Sequence, residues 1–361
     1  MRILVVTGAS GGHIFPAIAF LENLKTRLAD AETLLLLPRN NAARGIDAKV
    51  LKVSYISITA VKAAFTFKNI AALYNFCKGS LETFFIILEF RPDRVVGFGS
   101  LASIPAILLA WLFRTKSVIH EQNVIPGWAN RLLGVFADKI AVSFAKTGEY
   151  FPRYKNKVVL TGNPLRRGLA RVEKKTARDF FQLNPDRFTI LAIGGSQGSS
   201  SINAGFFKAV SALSDKFDFQ VIHIAGEKDY LLLKDAYQGL KIEHRIFGFF
   251  EAMQYAYSAS DLAVSRAGAT SIAELIFFRV PAIISPYPYA WQHQVANAEI
   301  LRNAGAAVIV EDEELAGDKL AQNIASLMSN RGKLDQMRSA YADILLPQAE
   351  DLLVQEIITL N

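Results

Sequence analysis

The sequence predicts an α/β protein made of two doubly wound, Rossmann-like domains facing a cleft. Three observations predict it. A length of 361 residues exceeds what one core usually organises. Two places in the chain read strand, glycine turn, helix, the first unit of a doubly wound sheet. Other apolar runs of strand length alternate with helical stretches, which implies mostly parallel sheets.

The first opening is Ile3 to Thr7, followed by Gly8-Ala9-Ser10-Gly11-Gly12-His13 and a helix-compatible stretch from Ile14 to Leu28. The second is Thr189 to Ile193, followed by Gly194-Gly195-Ser196-Gln197-Gly198 and another helical stretch. Further strands are expected at Thr33–Leu37, Arg94–Gly97, Ser117–His120 and Lys139–Val142 in the first half. In the second half they are expected at Phe219–Ala225, Leu262–Ser265 and Pro281–Ser285. A strand over Val158–Leu160 ends in the turn residues Thr161-Gly162-Asn163-Pro164, which sets the expected boundary. The domains are therefore 1–162 and 163–340, with 341–361 as a C-terminal segment. Within that segment Leu352 to Leu360 is apolar enough to pack as a helix, on the second domain or back on the first.

Composition narrows the function classes. Hydrophobic residues at 51% and charged residues at 20% suit a globular enzyme and exclude general disorder. The net charge of +7 suits nucleic acid, an anionic membrane surface or phosphorylated substrates. No RNP, zinc-finger or helix-turn-helix pattern supports the first of these, so nucleic acid is not an expected partner. Cys77 is the single cysteine, which excludes an internal disulfide and fits a reducing cytoplasm. The N-terminus runs directly into a strand-like stretch without the layout of a signal peptide. Val95 to Phe113 is uncharged and long enough for a membrane span, but Gly97, Gly99, Ser100, Ser103 and Pro105 break it. Strand, loop and a buried helix from about Pro105 to Phe113 is the simpler reading.

Glycine turns between strand and helix let backbone N–H groups approach an anion, and a helix N-terminus adds favourable partial charge. Neither loop has dinucleotide or Walker A spacing. Two such loops facing one cleft suit a phosphorylated substrate held between domains. His13, beside the first turn, reads either as a solvent-facing or capping residue or as a general base, since imidazole titrates near neutral pH. His120-Glu121-Gln122-Asn123 ends an apolar strand, where open sheets bind ligands. It is not a zinc motif, because position 124 is valine. Ser265 through Glu274 is a third strand, glycine turn and helix. Glu274 reads as complementing the helix dipole or as an acceptor for ribose hydroxyls. After Pro286-Tyr287-Pro288, the polar run Gln292-His293-Gln294 and Asn297 is a candidate for the same cleft.

At this point the chain resembles the MurG family, membrane-associated transferases of peptidoglycan synthesis. The resemblance rests on Gly11-Gly12-His13-Ile14-Phe15-Pro16-Ala17, Gly97-Phe98-Gly99, His120-Glu121-Gln122-Asn123, Thr161-Gly162-Asn163-Pro164-Leu165-Arg166, Gly194-Gly195-Ser196-Gln197-Gly198, and Ser265-Arg266-Ala267-Gly268-Ala269 through Glu274. These stand in the family's order across most of the chain. The resemblance implies the two-domain glycosyltransferase B fold. It also implies transfer of N-acetylglucosamine from UDP-N-acetylglucosamine to the C4 hydroxyl of an undecaprenyl-pyrophosphoryl-muramyl-pentapeptide, with inversion. The family's second domain holds the UDP-sugar. Ser196 and Gln197 are then expected by the diphosphate or sugar, Arg166 by the phosphates and Glu274 on the ribose. The helix start at Ala269, Thr270, Ser271, Ile272 and Ala273 is expected to meet the diphosphate, and the backbone near Phe250 the uracil. His293, Gln294 and Asn297 are expected on the sugar hydroxyls. On the first domain Ser10, Gly11, Gly12, His13 and Asn123 are expected to line the acceptor side. The catalytic base is expected at His13, with Glu121 the second choice.

No cofactor is implied, and the absence of any Asp-x-Asp sequence fits leaving-group stabilisation without a metal. Two departures stand out: Ser100 and Ile104 replace family glycines in the 97–105 loop, and Trp291-Gln292 replaces the acidic residue before the His-Gln pair. A lipid-linked acceptor implies a peripheral protein at the cytoplasmic face of the inner membrane. Other cell-wall synthesis proteins are further expected partners. Aromatic residues Phe65, Phe67, Tyr74, Phe76, Phe84 and Phe85 among Lys62, Lys68 and Lys78, with Trp111, Phe113, Arg114 and Lys116, are candidates for an interfacial patch. The same pattern also reads as ordinary amphipathic helices. Three other readings share parts of this pattern: a UDP-N-acetylglucosamine 2-epimerase, a transferase making another glycolipid, and a non-catalytic nucleotide binder. The carboxylate pattern of the epimerase is not found.

Overall fold

Short runs of Val, Ile and Leu, apolar on both faces, are the signature of strands buried in parallel sheets. The computed structural model organises thirteen of them into two such sheets. It describes residues 1–39, 51–58, 67–195, 197–289, 292–344, 347 and 349–360; for 67–69 and 349–350 the backbone alone is described.

The first unit runs to Arg167 and takes back the chain's C-terminal stretch. Its elements are β1 (Arg2–Val6), α1 (Gly11–Arg27), β2 (Glu32–Pro38), β3 (Val53–Ile56), α2 (Phe67–Phe90), β4 (Arg94–Gly97), α3 (Ser103–Leu112), β5 (Lys116–Glu121), α4 (Trp128–Leu133), β6 (Lys139–Val142) and β7 (Val158–Leu160). The sheet order is β3-β2-β1-β4-β5-β6-β7, with every described pairing parallel. The second unit, from Gly168, contains α5 (Lys174–Phe180), β8 (Phe188–Ile193), α6 (Ser200–Leu213), β9 (Phe219–Ile224), α7 (Glu227–Tyr237), β10 (Glu243–Phe247), α8 (Met253–Ala259), β11 (Leu262–Ser265), α9 (Ala269–Phe278), β12 (Ala282–Ile284), α10 (His293–Ala304), β13 (Ala307–Ile309), α11 (Lys319–Met328) and α12 (Arg331–Ala340). Its order, β10-β9-β8-β11-β12-β13, repeats the first sheet without the last strand. The final helix, α13 (Ala349–Ile358), belongs to the first unit.

Alternation along β1 shows how the first core is divided. Ile3 and Val5 face α1 and α13, while Leu4 and Val6 face the side covered by α2, α3 and α4. Helix α13 buries Leu353, Val354 and Ile357 in the first of these layers. Ion pairs Arg27–Asp351 and Lys139–Glu356 tie its polar side down. The division of the chain therefore falls after Arg167, five residues beyond the turn at Thr161-Gly162. Strands β3, β10 and β13, which the sequence did not announce, are short edge or near-edge pieces whose residues are polar or few. Helix α3 begins at Ser103, and its last turn exposes Trp111 and Leu112 with the following Phe113. Among the described residues no helix is long and apolar enough to cross a membrane.

Candidate active site

Winding reverses in the first sheet between β1 and β4, and open parallel sheets take ligands outside the C-terminal ends of such a strand pair. Val6 pairs with Gly97, so the loop holding Ser10, Gly11 and Gly12 lies beside the loop holding Gly99 and Ser100. Ser10 caps α1 through its backbone, its carbonyl accepting from His13 N at 2.9 Å and Ile14 N at 3.0 Å. His13 thus sits in the first turn of α1, half-buried. Gly99 has φ +79°, and a Cβ there would come within 3.3 Å of the His13 ring. Ser100 also lies in the left-handed region, at φ +70°, where glycine is unstrained. Its hydroxyl accepts from Ala102 N at 3.2 Å, which offsets part of that cost.

The end of β5 supplies the partners. Side chains two apart on a strand share a face. Gln122 meets His13 with His120 behind it, while Glu121 has a separate set of partners. His13 Nδ1 lies 3.0 Å from Gln122 Oε1. Gln122 Nε2 lies 3.1 Å from His120 Nδ1, and His120 Nε2 lies 2.9 Å from the Gly162 carbonyl. Burial pushes the His120 imidazole down to about 4, against the pull of the Gly162 hydrogen bond and with help from nearby His13. Gln122 and His120 are thus hydrogen-bonded on both sides, and His120 is held neutral by its burial.

Glu121 is placed differently from His13. Its carboxylate accepts from Asn123 N (2.9 Å), Asn123 Nδ2 (3.1 Å), Gly127 N (3.1 Å) and Asn130 Nδ2 (2.8 Å), and the residue is 2% exposed. A carboxylate holding four donors is a staple for the 121–130 loop, whereas His13 has a ring nitrogen, Nε2, outside the line just described. Asn123 belongs to the same staple, its carbonyl accepting from Thr147 Oγ1 at 3.0 Å. Arg166 lies in the first unit, its guanidinium 4.9 Å from the centre of the Phe15 ring on α1.

The second unit repeats the arrangement at the ends of β8 and β11. Gly198 has φ +77°, and an added Cβ would strike the Ala225 carbonyl at 2.2 Å, so only glycine closes that turn. Gln197 is exposed on it; Ser196 lies outside the described residues. Ser199 caps α6. Arg266, 4% exposed, donates to Ser199 Oγ (Nε 3.0 Å, Nη2 2.8 Å) and to the Ser285 and Pro286 carbonyls (3.1 and 3.3 Å). It also pairs with Asp312 at 2.6 Å. One buried guanidinium therefore binds the turn before α6, the loop before α9 and the loop after β12.

Helix α9 opens with Ala269, Thr270, Ser271, Ile272 and Ala273, behind Gly268 as N-cap, so its first N–H groups point out of the β11 end. Glu274 is the sixth residue of α9, buried, and accepts from Tyr257 Oη at 2.8 Å. Gln294 Oε1 accepts from Ala267 N (3.2 Å) and Tyr287 N (2.9 Å), and Asn297 Nδ2 donates to the Ala267 carbonyl at 3.1 Å. Both hold the loop before α9. His293, half-buried, is the first residue of α10. Phe250 sits in an aromatic cluster with Phe247 (4.7 Å) and Phe181 (5.3 Å). The sequence reading missed the roles of Gln122, His120, Ser199 and Arg266. The usable signals were the two-residue spacing in β5 and an arginine sitting between an apolar strand and a glycine turn.

Comparison with known proteins identifies the family. Residues 3–142 match the glycosyltransferase family 28 N-terminal domain, and residues 189–352 the family 28 C-terminal domain. A relative from Thermodesulfovibrio yellowstonii, named as a UDP-N-acetylglucosamine–N-acetylmuramyl-(pentapeptide) pyrophosphoryl-undecaprenol N-acetylglucosamine transferase, is 35% identical, covering 98% of this chain and 97% of its own. A relative of the same name from Syntrophus aciditrophicus is 36% identical over 95% and 94% of the two chains. The crystal structure of Acinetobacter baumannii MurG matches with TM-score 0.77 and 26% identity over 99% of each chain. The S. aureus MnaA–UDP co-structure matches at TM-score 0.69 and 15% identity, covering 99% of this chain and 95% of that one, which speaks for the fold alone. The two units have the glycosyltransferase B architecture, and the chain belongs to glycosyltransferase family 28, within its MurG group of N-acetylglucosamine transferases.

Proposed function

We propose that this protein transfers N-acetylglucosamine from UDP-N-acetylglucosamine to the C4 hydroxyl of undecaprenyl-pyrophosphoryl-N-acetylmuramyl-pentapeptide. The observation that carries the reading is the full-length likeness, at about a third identity, to transferases of that name. The second unit takes the donor. The N–H groups at the start of α9 and of α6 meet the diphosphate. Glu274, oriented by Tyr257, receives the ribose hydroxyls, and the backbone near Phe250 the uracil. Gln197, His293, Gln294 and Asn297 surround the sugar end, and Arg166 serves the phosphates. The first unit takes the acceptor along Ser10, Gly11, Gly12 and Asn123.

The reaction is a single displacement. His13 removes the proton as the C4 oxygen attacks the anomeric carbon. The bond from that carbon to the diphosphate breaks, its electron pair leaves with UDP, and the configuration inverts. Acceptor-dependent release of UDP from UDP-N-acetylglucosamine tests this. His13→Ala is expected to lower kcat by about 10²- to 10⁴-fold with UDP affinity kept. Tight UDP binding without acceptor-dependent release would sink the substrate pair.

The same reading places the protein peripherally at the cytoplasmic face of the inner membrane. Exposed Ile70, Tyr74, Leu81, Phe85 and Leu88 recur on one face of α2. Phe84 meets Phe113 at 6.1 Å, and Trp111 meets Phe136 at 5.4 Å, so the apolar surface continues past α3. Contiguous exposed apolar surface of this kind marks an interaction site, and Lys78, Arg114 and Lys116 suit anionic head groups. Lys62 and Phe65 lie outside the described residues, as do the side chains of Phe67 and Lys68. Sedimentation with anionic vesicles at low and high salt checks it; no binding at low salt would end the idea.

A further inference from the structure

A carbonyl oxygen carries no proton, and that fact propagates from Gly162 to His13. The Gly162 oxygen can only accept, so His120 Nε2, 2.9 Å away, must carry the hydrogen. His120 is buried and neutral, so its Nδ1 is a bare acceptor. The group 3.1 Å from that nitrogen must donate, which sets the Gln122 amide with NH2 towards His120. Two further carbonyls on the same side, His120 O at 3.2 Å and Phe98 O at 3.4 Å, require the same orientation. Gln122 Oε1 is then turned to His13 Nδ1 at 3.0 Å, and an amide oxygen only accepts. His13 Nδ1 must therefore carry a hydrogen, and in the neutral ring the lone pair is then on Nε2.

We infer that Gln122 is a positioning residue, anchored through His120 on the Gly162 carbonyl, that holds His13 in the tautomer whose Nε2 can accept a proton. The inference rests on the reading of His13 as the base. Unconstrained histidine prefers the opposite tautomer, with the hydrogen on Nε2, in which that nitrogen cannot act as a base. Glycine at positions 8 and 99 leaves the ring its place: an added Cβ at Gly8 would lie 3.2 Å from His13 Cδ2, and one at Gly99 would lie 3.3 Å from Cε1. Gln122 itself is 1% exposed, buried behind the His13 ring. When His13 takes the acceptor's proton on Nε2, Nδ1–H still donates to Gln122, so the ring need not turn during the step.

The chain has five histidines, few enough for the ring nitrogens to be assigned by difference against His13→Ala. Long-range 1H–15N spectra of histidine-labelled full-length protein distinguish protonated from bare ring nitrogens. The expected wild-type result is His13 with hydrogen on Nδ1 and His120 with hydrogen on Nε2. In Gln122→Met, His13 should revert to hydrogen on Nε2. Its acceptor-dependent kcat should fall about 10²-fold, with the KM for UDP-N-acetylglucosamine within about twofold. Wild-type His13 protonated on Nε2, or a Gln122→Met enzyme with wild-type kcat, would overturn the inference. The wild-type spectrum decides the tautomer even if the variant does not fold. The expected tautomer without any acceptor-dependent UDP release would leave the positioning intact and remove the transferase reading instead.

Discussion

The two units place a glycine loop and a helix N-terminus at the same point of the same sheet topology, yet they furnish that point with opposite chemistry. In the first, His13, Gln122 and His120 form a hydrogen-bonded line ending on the Gly162 carbonyl. In the second, the buried guanidinium of Arg266 gathers Ser199, Asp312 and two carbonyls around the turn. The difference teaches that topology sets where a ligand is held, while the side chains behind the loop set what is done there. The first line is built from imidazole and amide groups, and the second from a guanidinium paired with a carboxylate.

The anchor is the place to break the comparison hardest. Arg266→Met removes one partner of a mostly buried ion pair, and the cost is expected at roughly 3 kcal/mol, since Asp312 keeps some access to water. Urea unfolding and UDP titration should both register it, whereas loss of activity with unchanged stability would mean that the arginine acts on the ligand alone. Removing core from the first unit's borrowed helix comes next. Leu353→Ala on α13 is expected to cost about 2–5 kcal/mol, because the side chain is fully buried. If the urea midpoint stayed in place, α13 would not be part of that core.

Acidification sharpens the comparison, because each unit holds one fully buried neutral histidine. Burial lowers His120 to about 4 and His223 to about 3, the latter between Asn203 and Tyr237. Both folded values lie below the ordinary value of 6.5, so the unfolded chain binds these protons first. The stability they contribute is complete above pH 6.5 and falls as pH drops towards 4 and 3. The expected slope is about 1.4 kcal/mol per pH unit for each histidine. Urea midpoints at pH 7 and pH 5 check this; a flat profile would mean that both imidazoles reach water. The smallest effect is expected at Ser100→Gly. Relief of a left-handed serine and loss of its bond to Ala102 N nearly cancel, so stability should change by less than about 1 kcal/mol.

Much of this molecule can be read along the chain. The repeated strand, glycine turn and helix at residues 3–13 and 189–198 announces two doubly wound sheets, because only glycine closes such turns and strands buried on both faces need unbroken apolar runs. The polar ends of those strands mark the candidate loops for the same reason. What each polar residue does there was beyond the sequence. Glu121 and Gln122 are neighbours, yet one staples a loop and the other orients His13 across 109 positions of chain. Periodicity says that they face opposite sides of β5; it does not say which side meets α1. Helix α13 likewise carries its apolar stripe in plain view, but its partner is a sheet whose last strand ends at Leu160, 189 residues before the helix begins. Local pattern follows from backbone geometry and side-chain alternation, which act over a few residues. Hydrogen-bond partners and buried charges follow from strand order and crossovers, which no short window of sequence contains.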